Sequence, residues 1–284
     1  MTHPSRSSES GAQLLARLEG KRRLKGLDFH LFPDDCSPAQ GDVVEFHGME
    51  GTGKTETLYH LVTSCILPGE FGGLEVEVMY VDTDYHFDIL RLVSILEHRL
   101  PQGSEEMLRA CLCRISVVHC SSSLQLLLTL HHVEGTLPGR PSLSLLVIDS
   151  ISAFYWVDKY NGGDSMARQE ANLRRIAELL EKIVKEHHIA VFATTHAIMR
   201  SNSAEEVAEV GGTSWKRRTV APSDFTKVYL CRPWQRIVTH RVLFSKANMT
   251  KDRKQVFTAV SSSGRTNSTK RSSFCMTNAG IQFL

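Results

Sequence analysis

Eight residues carry the clearest chemistry in the chain: Gly48, Met49, Glu50, Gly51, Thr52, Gly53, Lys54 and Thr55. Their spacing is GxxxxGK[ST]. The apolar run Val43-Val44-Glu45-Phe46 precedes them, and a helical pattern starting at Lys54 follows. Glycines let backbone N–H groups turn inward around phosphates without a Cβ clash. The helix N-terminus adds its positive dipole end. Lys54 is of the right type to reach β and γ phosphates, and Thr55 offers a hydroxyl to Mg²⁺. The strand-before, helix-after setting is what gives the match its meaning. A second acidic position, Asp149, ends the apolar run Leu145-Leu146-Val147-Ile148. A charge at the tip of a buried strand needs a partner. Mg²⁺ held through a water beside Thr55 answers that need in phosphate-loop proteins. Capping of the next segment is the alternative role for Asp149.

Other constellations point elsewhere less firmly. Asp84, Tyr85, His86 and Asp88 lie close together and resemble a metal cluster. They are better read as Asp84 facing a nucleotide and Asp88 favouring a helix N-terminus. Ser150 and Ser152 suggest a hydrolase, but no Gly-x-Ser-x-Gly elbow accompanies them. The seven cysteines form no CxxC pair and several sit in apolar segments, as buried free thiols do.

The elements that must position these residues follow from periodicity. Strands are expected at 43–46, 76–81, 115–119, 143–148 and 189–193. Helices are expected at 54–66, 87–100, 124–133 and 165–188, the last with a stripe of Leu173, Ile176, Leu180, Ile183 and Val184. Alternating strands and helices imply an α/β fold, a mostly parallel sheet with helices on both faces. Short strand candidates at 227–231, 241–245, 256–260 and 281–284 predict a β-rich C-terminal end. The polar, basic stretch 261–273 reads as mobile. Three segments result: an arm and linker over 1–40, an ATPase-type core over 41–246, and basic C-terminal strands and tail over 247–284. A short amphipathic helix is expected at Gln13–Leu18 within the arm.

Composition narrows the class. Hydrophobic residues make up 42% of the 284 residues, which suits a globular domain. No uninterrupted apolar run is long enough to span a bilayer, and the polar, Ser-rich start is not a secretory signal. The formal net charge of +2 conceals a split. Residues 1–213 carry 19 Lys and Arg against 29 Asp and Glu, a balance of −10. Residues 214–284 carry 14 against 2, a balance of +12. Such a split points to an anionic partner such as nucleic acid, or to a basic end docked on its own acidic core.

The run Val76-Glu77-Val78-Met79-Tyr80-Val81-Asp82-Thr83-Asp84, the strand ending at Asp149-Ser150 and the segment Val191-Phe192-Ala193-Thr194-Thr195-His196 complete a pattern. Over about residues 38–246 it resembles the core of RecA-type strand-exchange proteins. Glu45-Phe46-His47-Gly48, Asp84-Tyr85-His86-Phe87-Asp88 and Ser152-Ala153-Phe154-Tyr155-Trp156 make it similar, more narrowly, to paralogues of the eukaryotic recombinase. The resemblance implies a RecA-like ATPase core, ATP and Mg²⁺ as cofactors, and a nuclear role in homologous-recombination repair of DNA double-strand breaks. It also implies single-stranded or branched DNA as ligand, with the B, C and D recombinase paralogues as partners. The D paralogue would be the direct neighbour, and the main recombinase an indirect partner.

Departures from that family pattern matter. Active recombinases carry glutamate where Asp84 stands, to orient the attacking water. Asp84 is one methylene shorter, so it is a weak or altered base. His196 replaces the usual glutamine, and no Phe-x-x-Ala segment precedes the core. The expectation is at most a weak DNA-dependent ATPase acting as an accessory factor in a hetero-complex. Two loops of such cores face DNA. Here the first would hold Lys159 and Arg168, and the second Arg200, Lys216, Arg217 and Arg218 beside Trp215. Basic residues next to an aromatic can grip phosphates and stack a base. The competing readings are a small-molecule phosphotransferase and a purely structural partner-binding protein with an inactive nucleotide site. The first lacks a convincing arginine-bearing lid, and the intact Lys54, Thr55 and Asp149 argue against the second.

Overall fold

Strand β1, Val43–Gly48, is buried at every position and feeds the glycine-rich turn into helix α1, Lys54–Ile66. In the computed structural model the chain is described over residues 11, 24, 26–33, 37–196, 230–246, 255–266 and 268–284. After α1 come β2 (Glu77–Asp82), α2 (Ile89–Arg99), α3 (Glu105–Leu112), β3 (Ile115–His119), α4 (Ser123–Thr136) and β4 (Leu143–Asp149). Then follow α5 (Tyr155–Asn161), α6 (Met166–Gln169), α7 (Ala171–His187) and β5 (Ala190–His196). The chain ends with α8 (Arg232–Ile237), β6 (His240–Lys246), β7 (Val256–Ser263), β8 (Thr269–Thr277) and β9 (Gly280–Phe283).

These strands make one sheet in the order β3-β2-β4-β5-β1-β6-β7-β8-β9. From β3 to β6 all pairs are parallel; β6 to β9 form an antiparallel meander. The central strands are buried on both faces, which explains their unbroken apolar runs. One core layer packs α1 and α2 against Val44, Phe46, Tyr80, Phe192 and Phe274. The other packs α4, α7 and Trp234 of α8 against Val43, Val81, Ile148 and Val191. Because β1, β2, β4 and β5 run parallel, their carboxyl ends meet at one edge. That edge brings Gly48, Asp82, Asp149 and His196 together, where α/β sheets hold ligands.

The structure departs from the expectations in several places. Most of the polar stretch expected to be mobile is paired strand: β7 runs to Ser263 and β8 starts at Thr269, paired through Val260↔Arg271 and Ser261↔Lys270. Serine and threonine carry no apolar alternation, so the ladder left little trace in the sequence. The helix expected at 165–188 is two pieces, α6 and α7, separated at Glu170. Of the strand expected at 227–231, residues 227–229 lie outside the described residues; Leu230 and Cys231 lead into α8, with a proline in its first turn, where a missing N–H costs nothing. Helix α3 was not anticipated. The helix expected at Gln13–Leu18 lies outside the described residues.

Candidate nucleotide-binding site

Building the site begins with backbone freedom. Gly51 and Gly53 have φ of 64° and 93°, a region that disfavours side chains. At Gly48 the constraint is contact: a Cβ there would meet the carbonyl oxygen of Phe244 on β6 at 2.7 Å. Thr52 Oγ1 donates to the carbonyl of Met49 at 2.7 Å and braces the turn. Met49 and Glu50 stand exposed on its outer side.

Lys54 is only 6% exposed. Its Nζ donates to the carbonyls of Gly48 and Met49, both at 2.8 Å. Burial pushes its ammonium below the ordinary value, opposed by the charges of Asp149, Glu50 and Asp84. No carboxylate of the described residues lies at ion-pair distance from it. A buried ammonium held, among the described residues, by carbonyl dipoles, at the mouth of a glycine-rich turn and a helix N-terminus, suits a polyphosphate.

Thr55 and Asp149, expected from the sequence to share a metal, lie in contact. Thr55 Oγ1 donates to Asp149 Oδ2 at 2.8 Å. Two further hydroxyls reach the same carboxylate: Tyr80 at 2.8 Å on Oδ2, and Thr194 on Oδ1. This hydroxyl-bound carboxylate, with Thr55 Oγ1 beside it, is a hard oxygen set that fits Mg²⁺ through water. Burial, with the charge of Asp149, raises the Tyr80 phenol well above its usual range, so it remains a donor.

Asp84 lies at the same edge, and its Oδ2 is 3.0 Å from His196 Nε2. Burial works to raise its carboxyl, but the hydrogen bond and charge of His196, with Ser150, hold it below the usual range. The rest of the acidic stretch is spent locally. Asp82 accepts from the backbone of His86 and Phe87 and meets His119 Nδ1 at 3.2 Å. Asp88 caps α2, accepting from the N–H groups of Leu90 and Arg91.

Among the expected DNA contacts, Lys159 lies on α5 with Nζ 4.9 Å from the Trp156 ring centroid and 5.8 Å from that of Tyr155. Trp156 and Tyr160 are exposed there. Arg168 is exposed on α6. Arg200, Trp215, Lys216, Arg217 and Arg218 lie outside the described residues. Sequence reasoning missed Tyr80 and Thr194 as partners of Asp149. Pairing of β4 between β2 and β5 brings them there, and no local pattern signals it. It also gave no structural role to Glu45, fully buried on β1. Glu45 accepts from Trp234 Nε1 at 2.9 Å, Thr195 Oγ1 at 3.3 Å and Arg241 Nε at 2.8 Å. A carboxylate inside the apolar run 43–46 was the available signal, since such a charge must be paired.

Residues 38–217 match the Rad51 family model. This chain belongs to the Rad51 family. The mouse DNA repair protein XRCC2 is 49% identical to it over 278 residues, covering 98% of both chains. The Arabidopsis thaliana DNA repair protein XRCC2 homolog is 27% identical, covering 85% of this chain and 78% of the relative. The DNA repair protein RAD51 of Mycosarcoma maydis is 27% identical over 58% of this chain and 46% of its own length. This Rad51-family chain is thus an XRCC2 homologue of recombination repair, with the family's RecA-like fold: a mostly parallel sheet closed by antiparallel strands.

Proposed function

We propose that this Rad51-family chain binds ATP with Mg²⁺, turns it over weakly, and acts in the nucleus as a DNA-binding accessory subunit in repair of double-strand breaks. Its partners in this reading are the other recombinase paralogues, B, C and D, with the D paralogue the direct neighbour. The complex assists assembly of the main recombinase on single-stranded or branched DNA. The observation that carries the nucleotide part is Lys54, a buried ammonium aimed into a glycine-rich turn with no carboxylate of the described residues at bonding distance. When bound, Mg²⁺ neutralises charge developing on the phosphates. The chain's own residues do the rest. The turn's N–H groups and Lys54 bind phosphate, Thr55 and Asp149 hold the metal and its water, and Asp84 orients the attacking water.

Weak turnover follows from Asp84. It is one methylene short of glutamate, and its carboxylate is drawn to His196. A base displaced by about an ångström can cost on the order of 100-fold. Contact with DNA falls to Lys159 and Arg168 at one loop and to Arg200, Lys216, Arg217 and Arg218 at the other. The exposed Trp156 and Tyr160 beside Lys159 favour a stacking surface.

The test is ATP binding and turnover on the purified chain, with and without single-stranded DNA, using Lys54→Ala as control. The expected result is binding that Lys54→Ala weakens at least about 100-fold, with slow turnover, since that ammonium supplies charge-assisted bonds in a dry site. Fast, DNA-stimulated turnover by the chain alone would overturn the accessory role. Binding indifferent to Lys54→Ala would overturn the site.

A further inference from the structure

Asp149 is held by more hydroxyls than a strand-end carboxylate needs. Oδ2 accepts from Thr55 and from Tyr80, each at 2.8 Å, and Oδ1 accepts from Thr194. The three donors differ in what else they must do. Thr55 lies in the first turn of α1 and is partly exposed. In the nucleotide reading above, on which this inference rests, its oxygen is also wanted by Mg²⁺. Tyr80 and Thr194 have no such second task. Both are 0% exposed, and they come from β2 and β5, the two strands that sandwich β4. Packing sets the position of the Tyr80 ring: Tyr59 stacks on it at 6.4 Å between centroids, and Phe87 lies tilted at 4.8 Å.

We infer that Tyr80 and Thr194 are positioning residues for the metal. They fix the carboxylate plane of Asp149 so that its aim survives when the Thr55 hydroxyl is diverted. The torsion that swings a carboxylate about its last bond is soft and roughly two-fold. A single donor on each oxygen, anchored in a neighbouring strand, removes that freedom. With Thr55 alone, diversion to the metal would leave Asp149 free to rotate at the moment its orientation counts. Outer-shell hydrogen bonds of this kind commonly tune metal affinity by about 10- to 100-fold.

The inference separates from a merely structural role through metal dependence. Tyr80→Phe removes one hydroxyl and keeps the ring packing; Thr194→Val removes the other and keeps the volume. Binding of a fluorescent ATP analogue is titrated with Mg²⁺ for the wild type, each single variant and the pair, and repeated in EDTA. The expected result is a half-saturating Mg²⁺ concentration raised about 10-fold in each variant and further in the pair. Affinity in EDTA stays within twofold of wild type. Mg²⁺ curves that superimpose on wild type, with thermal melts intact, would overturn the inference. So would a loss of affinity equal with and without Mg²⁺, which marks a general defect of the fold. If one variant does not fold, the other makes the same measurement. A wild-type chain that holds no nucleotide under either condition overturns the nucleotide reading itself and this inference with it; the two failures are read from different curves.

Discussion

The 3.0 Å contact between Asp84 Oδ2 and His196 Nε2 sets what Asp84 can do. A carboxylate held below its usual range by a histidine is a weaker proton acceptor, and here it is also short. Asp84→Glu restores the missing methylene. It is expected to raise ATP turnover by about 10-fold or more, with little change in ATP affinity, as measured by phosphate release. Unchanged turnover would mean that His196, not reach, limits the step. Gly48 makes a second residue-scale case. A Cβ there meets backbone, the Phe244 carbonyl at 2.7 Å, and backbone does not yield as a side-chain tip does. Gly48→Ala is therefore expected to destabilise the fold by about 1–3 kcal/mol, visible as a lowered melting temperature. Both residues were legible by type and spacing. The hydroxyls of Tyr80 and Thr194 were not, because strand pairing, not chain proximity, brings them to Asp149.

Among the elements, residues 26–33 show how tertiary packing recruits a segment that composition assigns to an arm. Leu27, Leu31 and Phe32 enter the core beside α1. Asp28 meets His60 Nε2 at 2.6 Å, while Arg99 reaches His60 Nδ1 at 2.7 Å. His30 stacks on Phe283 of β9, 4.6 Å between centroids. Burial alone would raise the Asp28 carboxyl. The hydrogen bond and charge of His60, with the N–H groups of Leu31 and His30, bring it below its ordinary 3.8. A carboxyl depressed by folding stabilises the fold above the unfolded value, and that contribution disappears as pH falls through the lower folded value. Asp28→Asn is thus expected to cost about 3 kcal/mol near neutral pH, since it leaves a buried pair broken. The deficit should shrink once pH falls below 3.8. Melting curves across that range check it; a deficit independent of pH would assign the effect to packing. The hairpin β7–β8 teaches the complementary lesson. Its ladder joins serines, lysine and arginine, residues whose pattern reads as unstructured. Cross-strand hydrogen bonds and Phe257 stacked on Phe274 hold it instead.

At the scale of the whole molecule, the charge split resolves in part within the fold. Arg241, Arg265 and Arg236 from the basic end pair with Glu45, Asp42 and Glu181 of the acidic core. Those three cations are spent at home. Lys216, Arg217 and Arg218 stand beyond the described residues, and they carry the expected grip on nucleic acid. Replacing all three with alanine is expected to weaken single-strand binding and to flatten its dependence on salt by about 2 in logarithmic slope, at roughly 0.7 per phosphate contact. An unchanged affinity and slope would remove this segment from the interface. By itself the sequence determined the strand–helix alternation, the glycine-rich turn from Gly48 to Thr55 and the strand-end Asp149, because these depend on residue type and on periodicity along the chain. Only the tertiary structure decided which hydroxyls hold Asp149, which histidine restrains Asp84, and that 26–33 and the serine-rich hairpin belong to the packed body. Those outcomes depend on contacts between residues far apart in the chain, and contacts of that range leave no periodic mark on it.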